Sequence, residues 1–531
     1  MPRWFALSAG RKKSPSKRTS TCTCCVFSVF ALLSAGNASA SEKLTASERA
    51  VLDGVDSGDG TDLANLPDKS ISGDFLSRLL SGEVRGVKFR HNGVQLMNAV
   101  IDGSIDISGQ DVHVPFNCEH CEFIDDVDFS DVHFFHNVSF RQSSFDQDIN
   151  MDHAVAEADL DLRDVQFDGD VDFSALQVSG SLYASGAHVN SDGQQASFDH
   201  IKAGILADFT NMELNGPFTL EEADLNELRL GRDLLQCKAN PANSVANSCN
   251  DLPTAPSIDL EGATVHREFA FLGQDVDSLV ASGLAVEGRA TLQGLVIDSS
   301  VDLRGARFQY LVLADDLSWP DHNHSSESRI QLDGITFSQI ELQDHRNFDN
   351  ATSQYFVASD KAYAKMIAAW PDNAGFSARA YQQLEKAFAE AGRSDLADLA
   401  FESLKDKERQ SGHLSTQQKA LSWALSLLIR YGREPYRALY FSIAILIFGW
   451  YVFRRKDFVE PRDQNQGEEL FSPFWYSLDL FLPLSTLPDA GIWKPKQTDR
   501  FRCMYARVHS LLGWILVPIG LAVVTGLIPG K

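Results

Sequence analysis

Cys118-Glu-His-Cys121 and the pair Cys237/Cys249 are the cysteines whose spacing could do chemistry in this chain. A CxxC pair acts as a redox couple when a following helix lowers a thiol pKa. It acts as half of a zinc site when further ligands lie close, here His113 or His120. No second CxxC occurs and no helical pattern follows Cys121, so the pair reads as a structural disulfide or as two free thiols. Cys237 and Cys249 bracket "CKANPANSVANSC", rich in Asn, Pro and Ser and free of strand pattern; they read as a disulfide pinning an insertion. Asp479 lies within the apolar stretch "LFSPFWYSLDLFLPLSTLP" (470–488), where it could line an ion path together with Ser485 and Thr486. The aspartates Asp128, Asp161, Asp172, Asp259 and Asp302 recur between apolar neighbours and could form a cation-binding ladder. The calcium-binding nonapeptide with paired glycines is absent, so they read instead as a solvated acidic face, with Asp172→Ala expected to be nearly neutral. The chain has no GxGxxG after a strand, no GxxxxGK[ST], no GxSxG and no HExxH, and no catalytic, cofactor-binding or metal residue is assigned.

The elements that carry these residues follow from one period. Val127-Asp-Phe129, Val138-Ser-Phe140, Ile149-Asn-Met151, Leu160-Asp-Leu162, Val171-Asp-Phe173 and Leu182-Tyr-Ala184 are each 11 residues apart. A further apolar residue stands five positions after most of them: Phe134, Phe145, Phe167, Val178 and Val189. Apolar–polar–apolar alternation over three positions, with β-branched and aromatic residues in the apolar slots, is a strand signal. Strands so short are not stable alone, so each repeat must stack on its neighbours. The spacing predicts a right-handed parallel β-helix, a pentapeptide-repeat-like solenoid, with two repeats to a coil of about 22 residues. Phe129, Phe140, Leu162, Phe173, Leu260 and Leu303 are expected in one buried column, with Asp128, Asp161 and Asp172 exposed. The pattern is interrupted at about 190–195 and by the cysteine loop at 236–257.

Charge and hydropathy divide the rest. Of 531 residues, 47 are basic and 72 acidic, a net charge of -25; residues 41–429 hold 28 basic against 63 acidic groups, which excludes a phosphate-binding face for nucleic acid. Residues 1–40 pair a basic start with an apolar run and Ala38-Ser39-Ala40, a signal-peptide pattern. A helical N-terminal cap is expected at 41–85, the β-helix at 86–350, and a helical hairpin with an amphipathic helix carrying Trp423 at 352–432. Transmembrane helices are expected at 435–453 and 508–528, with 470–488 re-entrant or interfacial. The intervening 454–507 holds nine Lys and Arg, which places it in the cytoplasm and the β-helix in the periplasm, although Arg430, Arg433 and Arg437 flank the other end of the first span.

In the order in which they occur, "ISGDFLSRLLSGEVRGVKF", repeats of the style of "VDLRGARF", "ARAYQQLEKAFAEAGRSDLADLA", "RYGREPYRALYF", "FWYSLDLFLPLSTLP" and "LLGWILVPIGLAVVTGLI" carry a resemblance. The mature chain resembles bacterial membrane-associated pentapeptide-repeat-like proteins, whose relatives often bear the label membrane-associated oxidoreductase. The resemblance implies an inner-membrane location and a β-helix followed by helices. The leading expectation is a non-catalytic membrane-anchored scaffold that presents an acidic binding or sensing surface. Its partners would be the lipid bilayer and a protein, and no cofactor is implied. Two alternatives stand beside it: an oligomeric two-span pore with a regulatory β-helix, and an oxidoreductase. The layout is similar to a two-helix ion channel, but "PLSTLPDAG" replaces the Thr-x-Gly-Tyr-Gly carbonyl filter of potassium channels.

Overall fold

A computed structural model describes residues 44–190, 195–232, 254–314, 317–319, 330–349, 354–357, 378–410, 414–434, 436–455, 459–461, 471–482, 492–496 and 498–525. The Cys237/Cys249 loop, the signal-like segment 1–40, Ser485 and Thr486 lie outside them. All described residues from Thr45 onward fall in one compact unit.

The chain is a mainly β parallel solenoid of about nine turns followed by helices. Helix α1 (Ala46–Ser57) opens it behind a Thr45/Glu48 capping box, in which each residue's side chain bonds the other's backbone N–H. Helix α2 (Gly73–Leu80) follows, burying Phe75, Leu76, Leu79 and Leu80. Between these helices Thr61–Asp62 and Ser70–Ser72 already pair in parallel with solenoid strands, so the ladder begins ahead of residue 86.

Parallel pairing joins Val127 to Ile149, Ile149 to Val171, Val138 to Leu160 and Leu160 to Leu182. Each step is 22 residues, so triplets 11 residues apart lie on different sides of a coil. This corrects the single-column expectation. Phe129, Phe173, Leu260 and Leu303 follow one side of the coil while Phe140 and Leu162 follow another, all six being buried. Rings stack from coil to coil, as in Phe123–Phe145 at 4.5 Å and Phe145–Phe167 at 5.5 Å between centroids.

Each coil turns its corners with a left-handed residue three positions after the central residue of the triplet: Asp131, His153, Ala175, His200 and Glu222 on one side, Gln142 and Asp164 on the other. From residue 254 the strands lengthen. Thr264–Leu272 is one continuous strand pairing with Asp224–Gly231, and glycine takes the left-handed corner at Gly262, Gly283, Gly305 and Gly334.

After the solenoid come α3 (Ala378–Glu390), which packs on the Thr336–Asp349 strand, and its hairpin partner α4 (Ser394–Gln410). Helix α5 (Thr416–Ile429) has no buried residue and leads through a turn at Arg430–Gly432 into α6 (Arg437–Phe453). Helix α7 (Pro473–Phe481) packs against both α6 and α8 (Arg500–Val524). An antiparallel strand pair, Val459–Pro461 with Trp493–Pro495, ties the two connecting segments together. Among the described residues no single helix is long and apolar enough to cross a membrane. Helices α5 and α6 form a bent pair, at 119°, that has the length and composition together.

Candidate functional site

The CxxC pair is part of a solenoid corner. Cys118 stands where Phe140 and Leu162 stand in later coils, and Cys121 follows the left-handed His120 as Ser143 follows Gln142. The two sulfurs are bonded, the Cα atoms are 5.7 Å apart, and both residues are buried. The His113 ring packs tilted against Phe135, with centroids 4.4 Å apart, and no group of metal-ligating side chains occurs among the described residues. The pair closes a corner from within the core and offers no thiolate to a ligand.

The recurring aspartates do more than face water. Asp128 accepts the backbone N–H of Ser130 at 2.9 Å, Asp161 that of Arg163 at 3.1 Å, Asp172 that of Ser174 at 3.1 Å, Asp259 that of Glu261 at 2.9 Å and Asp302 that of Arg304 at 3.0 Å. Each is an Asx-turn that holds the two residues leading into the corner. Asp172 is exposed, whereas Asp128, Asp161, Asp259 and Asp302 are half-buried. A second set bridges coils: Asp148 accepts from the Asp170 N–H at 2.9 Å and Asp159 from the Ser181 N–H at 2.8 Å. Stacking brings like charges together. Burial, then repulsion from Asp148, holds the Asp170 carboxyl above its ordinary pKa, and burial with Asp168 does the same to Asp146. The acidic surface is thus built from the fold's own turn residues.

Sequence reading missed a buried polar group that lies among α6, α7 and α8. His509 and Ser477 are fully buried there. The His509 Nε2 lies 2.9 Å from the Ser477 carbonyl oxygen, an obligate acceptor, so Nε2 carries the proton. Nδ1 then accepts from the Tyr505 hydroxyl at 3.1 Å. The Ser477 hydroxyl donates to the Leu446 carbonyl of α6 at 3.2 Å. The result is a neutral, satisfied network joining three helices. Ser477 and His509 resemble a nucleophile–base pair in type, and Ser477 Oγ lies 3.3 Å from His509 Nε2, but Nε2 carries the proton and so cannot take one from the serine, and both residues are closed off from solvent. Close approach depends on glycine: a Cβ at Gly449 would meet the Ser477 hydroxyl, and one at Gly513 the Phe481 carbonyl oxygen. Asp479, on the same α7, is also buried. The signal available in sequence was a single histidine inside an otherwise apolar run, "VHSLLGWILV", paired with the one serine of "FWYSLDLF".

The outer surface of these helices and of α5 is apolar. Trp423, Tyr440, Ile443, Ile447, Met504, Leu511, Trp514 and Leu521 are each more than half exposed. At the start of α6 the arginines are neutralised instead. Arg430 meets Glu402 and Glu434, both at 2.5 Å; Arg433 meets Glu385, and Asp398 at 3.1 Å; Arg437 meets Glu434. Arg433 also lies over the Phe401 ring at 4.6 Å. These pairs fasten the α3–α4 hairpin to the α5–α6 turn.

Family models, curated proteins and solved structures give no match to this chain.

Proposed function

We propose that the protein is a non-catalytic, membrane-anchored β-solenoid, of the pentapeptide-repeat-like kind that its sequence resembles, presenting an acidic surface to a protein partner at a bacterial cell envelope. One observation carries the anchorage: a band of large apolar side chains on α5, α6 and α8 faces outward, which a monomer in water does not sustain without a covering. Helix α6 is 17 residues long, about 25 Å against a hydrocarbon core of about 30 Å. The polar network and close glycine contacts inside the band suit helices packed in lipid. The Cys118–Cys121 disulfide supports placing the solenoid in an oxidising compartment. Extraction of membranes with alkaline carbonate tests the anchorage: the chain stays in the pellet, and release into the supernatant would overturn this reading.

A further inference from the structure

Helices α6 and α8 run antiparallel, and their two ends differ in how basic side chains are matched. At one end Ala438 of α6 packs beside Leu516 of α8. Its neighbours Arg430, Arg433 and Arg437 are held by Glu385, Asp398, Glu402 and Glu434. At the other end Arg502 Nε donates to the Val452 carbonyl at 3.0 Å, bringing the start of α8 against the finish of α6. The two carboxylates described there are taken: Glu460 by Lys494 at 3.3 Å and Asp499 by Arg502. Arg454, Arg455, Arg500 and Arg507 are exposed and make no ion pair among the described residues. Arg454 lies over the exposed Tyr451 ring at 5.1 Å, while Phe474, Trp475 and Phe501 stand half exposed at the same end.

We infer that this end is a binding surface for anionic phospholipid headgroups, with Arg454, Arg455, Arg500 and Arg507 as the phosphate contacts. The inference rests on the anchorage proposed above and names the lipid it selects. The occupant follows from charge and position. Guanidinium groups with no ion-pair partner among the described residues cluster where the apolar band ends, which is the level of headgroups in a bilayer. Exposed aromatic rings accompany them, as they do at membrane interfaces. Arg507 lies about 10 Å along α8 from Arg500, and its long side chain reaches back along the helix to the same level. Guanidinium favours phosphate oxygens through paired N–H donors. The opposite end, where carboxylates already occupy the arginines, has no such preference to express.

Spin-labelled lipids measure this with the full-length chain reconstituted in vesicles of phosphatidylcholine and of phosphatidylcholine mixed with phosphatidylglycerol. Labelled phosphatidylglycerol is expected to be preferred over labelled phosphatidylcholine at the protein surface by about five-fold or more, the factor that a single basic residue near an anionic surface contributes. The preference falls as salt is raised. R454Q/R455Q/R500Q/R507Q removes it while the chain still incorporates, and the corresponding lysine replacements retain most of it. Incorporation into both vesicle types with no preference would overturn this inference and leave the anchorage standing. A preference that survives the glutamine replacements would overturn the residue assignment. Failure to incorporate into either vesicle would overturn the anchorage itself. If the glutamine variant does not fold, salt dependence of the wild-type preference decides alone, and a salt-independent preference counts against the inference.

Discussion

The solenoid solves the same coil in two ways. Between about 105 and 222 most strands are two residues long and each coil turns through separate short sides. Between 254 and 349 two sides fuse: Asp275–Val280 pairs with Val296–Asp302, and Ala285–Gln293 with Arg307–Ala314, as strands of six to nine residues. Register shifts mark the old corners, as between Val276 and Ser278 and between Val286 and Arg289. The early half has fewer consecutive ladder bonds per coil and holds itself with stacked phenylalanines and mostly non-glycine corners, Gly109 and Gly186 being exceptions, whereas Asx-turns run through both halves. The late half leans on continuous ladders and glycine. Two local economies therefore support one pitch.

Removing a ring from the early core is the hardest test of that contrast. Phe173 lies in the column of Leu303 and touches Phe198 at 5.1 Å and Phe167 at 6.2 Å in edge-to-face packing. Phe173→Ala should cost about 3–5 kcal/mol, read as a shift in the urea midpoint. Leu303→Ala, at the matching late position, should cost less because its coil keeps long ladders. Equal or greater loss at Leu303 would show that aromatic stacking is not what carries the early half.

The turn aspartates sharpen the comparison at a smaller scale. Asp172 was legible in sequence only as an outward side chain, and its substitution as neutral. The Asx-turn to Ser174 changes that expectation, and Asp172→Ala should cost about 1 kcal/mol. Asp172→Asn keeps the acceptor and should cost little, by the same urea titration. Loss of stability in the asparagine variant equal to that in the alanine variant would mean that charge, and not the turn bond, matters there.

Corners separate the halves most directly. Ala175 adopts φ 55°, where an L side chain is crowded and where its late counterparts Gly262, Gly283, Gly305 and Gly334 meet no such penalty. Ala175→Gly should stabilise by about 0.5–1 kcal/mol, the relief of crowding exceeding the added freedom of the unfolded chain. A thermal midpoint that falls in this variant would show the corner to be held by the alanine methyl's own packing.

How much of this was readable follows from which physics leaves a period. The 11-residue alternation reports burial directly, so the solenoid and the 22-residue coil were legible. The assignment of repeats to sides was not, because alternation specifies in or out and not which side of the coil. Fusion of strands left a weaker trace: "VHREFAF" puts Arg267 and Glu268 where early coils have Asn137, Asp159 or Gly180, exchanging turn formers for residues that extend. The Ser477–His509–Tyr505 network left almost none, since 32 residues separate its serine and histidine and both stand in apolar runs that hydropathy alone explains. Cys118 and Cys121 were read from spacing, but their place at a core corner needed the pairing of Phe116 with Val138.

The smallest expected effect concerns how charge ties coils together. In the early half histidine–carboxylate contacts join neighbouring coils singly: His133 meets Glu157 at 2.9 Å, and His188 meets Glu213 at 3.0 Å. His266, in the late half, bonds both ways, to Glu287 at 2.8 Å and Asp224 at 2.7 Å, spanning three successive coils. Those two bonds, Glu287 first and Asp224 second, raise its pKa above 6.5. A raised histidine contributes stability fully below its unfolded value and loses it as pH climbs through the folded value. The thermal midpoint of wild type should therefore exceed that of His266→Gln by about 1–2 °C at about pH 5.5, the discount reflecting a half-exposed pair. At about pH 8.5 the difference should close, because a neutral imidazole holds at most one carboxylate as donor. If the gap is the same at both pH values, His266 acts as a neutral hydrogen-bonding ring, and its double bridge adds nothing that the single bridges of the early coils lack.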